Sequence, residues 1–277
     1  MLRSLVLLGA LALSACDDTP PPRTGGLSYT ANAQRQYEEA MKEYNAHNWA
    51  ECQPLFAEVK RKFSYTRWAR MAELRIADAD FEQEKYAEAL REYKQFIHDH
   101  KNDEGVEYAR ERIAETNYKQ ISDSFLLPSS DERDQAAITD AYGDLTQFLK
   151  DYPKSKQAPH ACSLLDDVVA RLVRHELYVA RFYLARDNFE AAVNRVQFAI
   201  RNYAGNEACP PGRADMTKPE NAFGLVPDAL LLLGETYLRM HRFGDARTAF
   251  NVILDRYPQS NLAGQARKYV ESIGSKT

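Results

Sequence analysis

Apolar positions recur along most of the chain at helical intervals, in short runs that come in pairs. Tyr37, Met41 and Tyr44 lie at i, i+4 and i+7, so they share one helix face. His47-Asn48 interrupts them, and Trp49, Cys52, Phe56 and Val59 restore the period in a second helix. The same two-part unit returns in Met71, Leu74, Ala77 and Phe81 followed by Tyr86, Ala89, Leu90, Tyr93 and Ile97. A third unit holds Tyr108, Ala114 and Tyr118, is interrupted over residues 122–134, and resumes with Ile138, Ala141, Leu145 and Phe148. Residues 157–186 predict one long helix, with its partner over residues 189–203. A stretch rich in turn formers, residues 205–226, precedes a last pair, and residues 264–273 predict a polar-edged closing helix.

A fixed spacing runs through these pairs. A small residue stands twelve positions before another small residue at Ala40/Cys52, Ala77/Ala89, Ala180/Ala192 and Gly234/Ala246. In the third unit the pair is Ala114/Ala141, separated by 27 because the hairpin loop carries an insertion. Where two helices cross closely, a side chain larger than alanine forces the axes apart. Ala192→Leu should therefore disrupt packing, while a change on the outer polar face should not. The last unit carries the fullest pattern: Leu230, Leu233, Gly234, Tyr237, Phe243, Ala246, Phe250, Ile253 and Pro258. It resembles the tetratricopeptide (TPR) signature, a helical hairpin of about 34 residues that cannot bury its apolar face alone. The expectation is an all-α chain, an α-solenoid of about five TPR hairpins. Residues 31–156 would hold the first three, and residues 157–277 the fourth, the fifth and a capping helix. Stacked hairpins of this kind ordinarily hold other proteins.

Composition narrows the function further. The formal charge of −4 becomes −5 once Arg3 leaves with the leader, and no basic stripe suits nucleic acid. Residues 1–15 carry Arg3, then an apolar run over residues 5–13 that is too short to span a bilayer, the layout of a secretory signal. The run ends in Leu13-Ser14-Ala15-Cys16, which resembles a bacterial lipobox. The resemblance implies cleavage before Cys16 and acylation of its sulfur and new amino group. Several acyl chains on one residue exceed the marginal anchoring of a single chain. Residues 16–30, with Pro20-Pro21-Pro22 and Gly25-Gly26, read as a flexible tether. A lipid-anchored protein is the expectation; Asp17 after the lipidated cysteine clouds the choice of membrane, leaving the inner one open without excluding the outer one.

Candidate chemistry is sparse. The sequence holds no phosphate loop, no nucleophile elbow and no HExxH, and predicts no catalytic, cofactor or metal residues. His98-Asp99-His100 lies where a helix ends, which predicts a solvated terminus. Cys52 occupies a crossing position and reads as a core thiol. Cys162 and Cys209 fall at adjacent ends of one antiparallel hairpin, where a disulfide is sterically allowed. First helices line the concave face of TPR arrays, which places Tyr37, Met41, Tyr44, Met71, Leu74, Asp78, Phe81, Tyr108 and Tyr118 in a peptide groove. Some of these would instead be buried between repeats.

One stretch is more specific than a repeat. His175-Glu176-Leu177-Tyr178-Val179-Ala180-Arg181-Phe182-Tyr183, followed by Ala191-Ala192-Val193-Asn194-Arg195, closely resembles the BamD family of outer-membrane assembly lipoproteins. Asp151-Tyr152-Pro153-Lys154-Ser155, the lipobox and the five-repeat layout agree with it. The loop over residues 205–226 is longer than that family expects, and Ser64 and Lys101 replace prolines that often end a repeat. The resemblance implies a subunit of the complex that folds β-barrel proteins into the outer membrane. Its N-terminal repeats would receive unfolded outer-membrane proteins, and its C-terminal repeats would dock the POTRA segment of the barrel subunit, beside other assembly lipoproteins. Arg195 matches a docking position, or else pairs within its own hairpin. A TPR lipoprotein organising peptidoglycan-remodelling or cell-division proteins is the rival expectation.

Overall fold

The computed structural model describes residues 25–121, 135–203, 209 and 225–274. They form eleven α-helices, with no strand among the described residues. The helices are α1 (Gly25–Asn45), α2 (Trp49–Lys62), α3 (Arg67–Glu82), α4 (Tyr86–Asp99), α5 (Gly105–Lys119), α6 (Ala136–Asp151), α7 (Ala158–Leu184), α8 (Phe189–Tyr203), α9 (Leu225–Arg239), α10 (Phe243–Arg256) and α11 (Ala263–Gly274). Each odd helix from α1 to α9 packs against the helix that follows it, giving five hairpins, and α11 covers α10. The odd helices also touch one another in series, α1 on α3, α3 on α5, α5 on α7 and α7 on α9. First helices therefore form one continuous inner layer, and the chain is the expected TPR-like solenoid.

The small residues sit where the spacing predicts. Ala40, Cys52, Ala77, Ala89, Ala114, Ala141, Ala180, Ala192 and Ala246 are all essentially inaccessible to solvent. Gly234 is the tightest of these positions, since a Cβ there would overlap the ring of Phe250 on α10. That ring in turn stacks on Tyr269 of the closing helix, with centroids 4.8 Å apart. One missing methyl thus sets the approach of α9, α10 and α11.

Four hairpins turn in the same way. His47, Glu84, Asp187 and His241 each have φ between 56° and 60°, the left-handed region. At each, the next residue donates its N–H to a carbonyl five residues back: Asn48 to Glu43, Lys85 to Asp80, Asn188 to Tyr183 and Arg242 to Tyr237. This is the Schellman closure, which satisfies carbonyls orphaned at a helix end. Glycine usually occupies its left-handed position, and these residues accept a cost of about 1–2 kcal/mol relative to it. The third hairpin, carrying the insertion at residues 122–134, lacks the motif among the described residues.

The N-terminal boundary differs from the tether expectation. α1 begins at Gly25, so the helix starts before residue 30. No proline follows Pro22 to stop it, and Tyr29 anchors the first turns. Its hydroxyl donates to the Lys62 carbonyl at 2.8 Å, and its ring packs 5.0 Å from that of Phe63. Likewise α9 begins at Leu225, inside the loop predicted to reach residue 226. Cys16 and the leader lie outside the described residues.

Burial divides the array unevenly. A single apolar core runs from Ala114 on α5 to Ile273 on α11. The first two hairpins instead hold two smaller clusters, one on each side of α3. Cys162 at the start of α7 and Cys209 beyond α8 form a disulfide, with Cα atoms 5.8 Å apart across 47 positions of sequence. The bridge fastens the chain just beyond α8 to the base of its own hairpin. Cys52 is a buried free thiol.

Two glycines should respond with opposite signs. Gly234→Ala should destabilise by about 1–3 kcal/mol through overpacking. Gly244→Ala, whose Cβ would meet nothing within 4 Å, should stabilise slightly, by about 0.5 kcal/mol. Thermal melts of both variants check the pair. Cys162→Ser should cost about 2–4 kcal/mol, as expected for releasing a loop of this length, read as a lower melting temperature under oxidising conditions.

Candidate functional site

The inner layer of the first three hairpins carries a buried ionic network centred on Asp78 of α3. Asp78 is 1% exposed, and three hydrogen-bond donors converge on its carboxylate. Tyr93 Oη donates to Oδ1 at 2.5 Å, Tyr108 Oη donates to Oδ1 at 2.8 Å, and Arg75 Nη1 donates to Oδ2 at 2.5 Å. Arg112 Nε lies 3.5 Å from Oδ1 and donates to Tyr93 Oη at 3.2 Å. Its guanidinium lies over the Phe81 ring, 3.8 Å from the centroid, and its Nη1 donates to Glu115 at 2.6 Å.

Helix geometry explains the convergence. Arg75 and Asp78 are three residues apart on α3 and share a face. Tyr93 comes from α4, and Tyr108 and Arg112, four residues apart, come from α5. One carboxylate thus ties three helices of two hairpins together.

The electrostatics follow from this crowding. Burial pushes the Tyr93 and Tyr108 phenols well above their usual range, and the negative charge of Asp78 adds to it. Tyr44 on α1 is raised to about 12, first by burial and then by Asp78 and Glu82. For Arg112, burial alone would lower the guanidinium, but Tyr93, Tyr108 and Asp78 together hold it above its ordinary value. Arg75 is held up similarly by Asp78 against its own burial, and its Nε is a buried donor with no partner.

The predicted groove residues separate into two sets. Tyr37, Leu74, Asp78 and Phe81 are at most 8% exposed, so they do not offer surface to a partner. Tyr37 lies between Phe56 and Trp68, with centroids 5.6 and 5.3 Å away, because the face of α1 toward α2 also meets α3. Leu74 and Phe81 belong to the cluster between α3, α4 and α5. Met41, Tyr44, Met71, Tyr108 and Tyr118 are half-buried and keep part of their surface on the inner layer. Tyr118 also donates to Asp167 of α7 at 3.1 Å, across the junction of the third and fourth hairpins. Tyr93 was marked only as an apolar position of the second unit, while Arg75 and Arg112 are members of the network that the apolar period did not mark. Their signal is the run of charges interleaved with Asp78 and Tyr108 at helical spacing.

His98 and His100 do not gather around a common point. His98 Nδ1 lies 2.9 Å from Asp99, and His100 Nε2 lies 3.1 Å from Glu73. Instead, among the described residues, the ligand atoms of Glu111, Glu115 and His160 come within 4.8 Å of one another. His160 is on α7, far from the two acids in sequence, so no local motif announces the group.

A second surface lies on the fourth hairpin. Tyr178 and Phe182 on α7 and Phe198 on α8 are each at least 40% exposed. The Arg186 guanidinium covers the Phe182 ring at 3.5 Å. Arg195 Nη1 donates to Glu176 at 3.3 Å, so the guanidinium is paired within its own hairpin while nearly half its side chain stays exposed. No helix among the described residues is long and apolar enough to cross a membrane.

Hairpins stacked through a common inner layer define the class: a tetratricopeptide α-solenoid, whose members ordinarily hold other polypeptides. A tetratricopeptide repeat matches residues 228–260, the fifth hairpin. The family described as outer membrane lipoprotein matches residues 30–230, and the chain belongs to it. Relatives include the outer membrane protein assembly factor BamD of Neisseria meningitidis serogroup A, 27% identical over 197 residues, covering 70% of this chain and 74% of that protein. BamD of Caulobacter vibrioides is 28% identical over 182 residues, covering 66% of this chain and 57% of that protein. BamD of Xylella fastidiosa (strain 9a5c) is 24% identical over 243 residues, covering 86% and 77%.

Asp78→Ala should destabilise the protein by about 3–5 kcal/mol, since it strands two partly buried guanidiniums without their carboxylate. Chemical denaturation monitored by circular dichroism measures it.

Proposed function

We propose that this protein is a lipid-anchored scaffold that helps assemble β-barrel proteins in the outer membrane. The observation that carries this reading is the family match over residues 30–230, which spans most of an α-solenoid built to hold polypeptide. Relatives bearing the assembly-factor name over comparable lengths support it. Cys16 would carry the lipid, and the work would be done by binding.

The two surfaces suit two tasks. The inner layer of the first three hairpins, with half-buried Tyr44, Met71 and Tyr108 beside the Asp78 network, would receive unfolded outer-membrane substrates. An amphipathic segment could lay apolar side chains on the aromatics and main-chain groups against the guanidiniums. The fourth hairpin would dock the POTRA region of the barrel subunit. Its exposed aromatics supply contact area, and Arg195 supplies a fork that fits a carboxylate.

The test is copurification from solubilised envelope. Arg195→Glu should reduce recovery of the POTRA-bearing subunit at least tenfold. Because the substitution would also set an acid against buried Glu176, the pair Arg195→Gln with Glu176→Gln serves as a folded control that still removes the guanidinium. Unchanged recovery in both would remove Arg195 from the interface. Recovery of cell-wall hydrolases in place of a barrel subunit would favour a peptidoglycan-organising role.

A further inference from the structure

The junction between the third and fourth hairpins holds a group that the binding surfaces do not use. Glu111 on α5 is 6% exposed, yet no hydrogen bond or ion pair joins its carboxyl to another described residue. A carboxylate this far withdrawn from water gains from a cationic partner. Glu115, one turn on, faces the same space. Its Oε2 accepts from Arg112, which leaves Oε1 directed to His160 Nε2 on α7, 3.8 Å away. Arg112 is directed elsewhere: its Nε donates to Tyr93, its Nη1 to Glu115, its Nη2 lies 3.8 Å from Glu82 and its face covers Phe81.

We propose that Glu111, Glu115 and His160 form a binding site for a divalent transition-metal ion, best matched by zinc, that ties the third hairpin to the fourth. The donor set is two carboxylate oxygens and one imidazole nitrogen, a combination zinc accepts. Three protein ligands leave a fourth position for water or for a side chain of a partner. On tetrahedral zinc, with bonds of about 2 Å, donor atoms stand about 3.3 Å apart. Here they lie within 4.8 Å of one another, so closing the set takes side-chain adjustments of about 1–2 Å, with half-exposed His160 free to turn. Glu111 and Glu115 are four apart on one helix face and need no rearrangement of backbone. The neighbouring charges act in both directions: Asp78 favours a cation here and Arg112 opposes one.

An ion in this place would act on shape. α5 and α7 touch directly along the inner layer, and their relative angle sets how the first three hairpins are presented beside the last two. A metal bridge would hold that angle.

The experiment uses the full-length lipoprotein in detergent, without a polyhistidine tag, stripped with chelator and titrated with zinc by calorimetry and by thermal melting. The expected result is one saturable site of micromolar or tighter affinity and a melting temperature raised by about 5 °C at saturation. His160→Ala, at an exposed position, should leave the metal-free melt unchanged and weaken zinc binding at least tenfold. Glu111→Gln should melt no lower than the parent without metal and should also lose the zinc-induced rise. A double His98→Ala, His100→Ala variant should bind as the parent does. No saturable binding to the parent, or undiminished binding to both His160→Ala and Glu111→Gln, overturns the proposal.

Discussion

Within each hairpin two helix backbones approach so closely that the space between them admits only a small side chain, and at Gly234 not even a methyl group. This contact decides more than local packing. Because α9 and α10 are held together at Gly234, Phe250 can reach past to stack on Tyr269, and the closing helix then has one position in which to lie. The same closeness at Ala40/Cys52, Ala77/Ala89, Ala114/Ala141 and Ala180/Ala192 keeps each second helix tight to its first. The first helices then meet one another in a single inner layer. Burial of apolar area drives collapse, but it is non-directional. The small residues give it a geometry.

The ionic network on α3, α4 and α5 is a different kind of device. Removing charges from water costs several kcal/mol per ion, and replacing a whole buried network with apolar side chains is often neutral or favourable. Asp78, Arg75 and Arg112 therefore add little net stability over a well-packed alternative. They add directionality. Tyr93, Tyr108 and Arg75 can all reach the Asp78 carboxylate in only one relative placement of three helices. The arrangement also fixes where the two guanidiniums lie relative to the three helices.

Periodicity and the twelve-residue spacing made the five hairpins legible, because those signals report a single helix face and a single crossing. The turns were less so. His47, Glu84, Asp187 and His241 hold a left-handed conformation that glycine would have advertised, and none of them is glycine. The binding surface was legible only in part, for a physical reason. A first helix in a solenoid packs on its own partner, on the preceding first helix and on the following one, so its apolar stripe is wide. Tyr37, Leu74 and Phe81 fall in the buried part of that stripe, while Tyr44 and Tyr108 fall at its edge, and spacing alone does not separate them. Groups assembled across repeats were invisible. Glu111 and Glu115 show as an i, i+4 pair on α5, but only folding brings His160 to them.

The uneven distribution of burial divides the array into a stiffer and a softer part. From α5 to α11 one apolar core is continuous, capped at its end and stapled by the Cys162–Cys209 bridge. Opening any hairpin there exposes surface shared with its neighbours, so local unfolding is costly. The first two hairpins have separate smaller clusters that meet through α3, with charged groups between them. Less shared apolar area means a smaller penalty for local adjustment. A docking surface gains from rigidity, because a preorganised face loses little entropy on binding. A surface that must accept many different extended segments gains from some give. The stiff half carries the exposed aromatics of α7 and α8, and the softer half carries half-buried Met41, Tyr44 and Met71. The contact of α5 with α7 links the first three hairpins to the last two along the inner layer, which makes it the place where fixing a single angle would set how they are presented to each other.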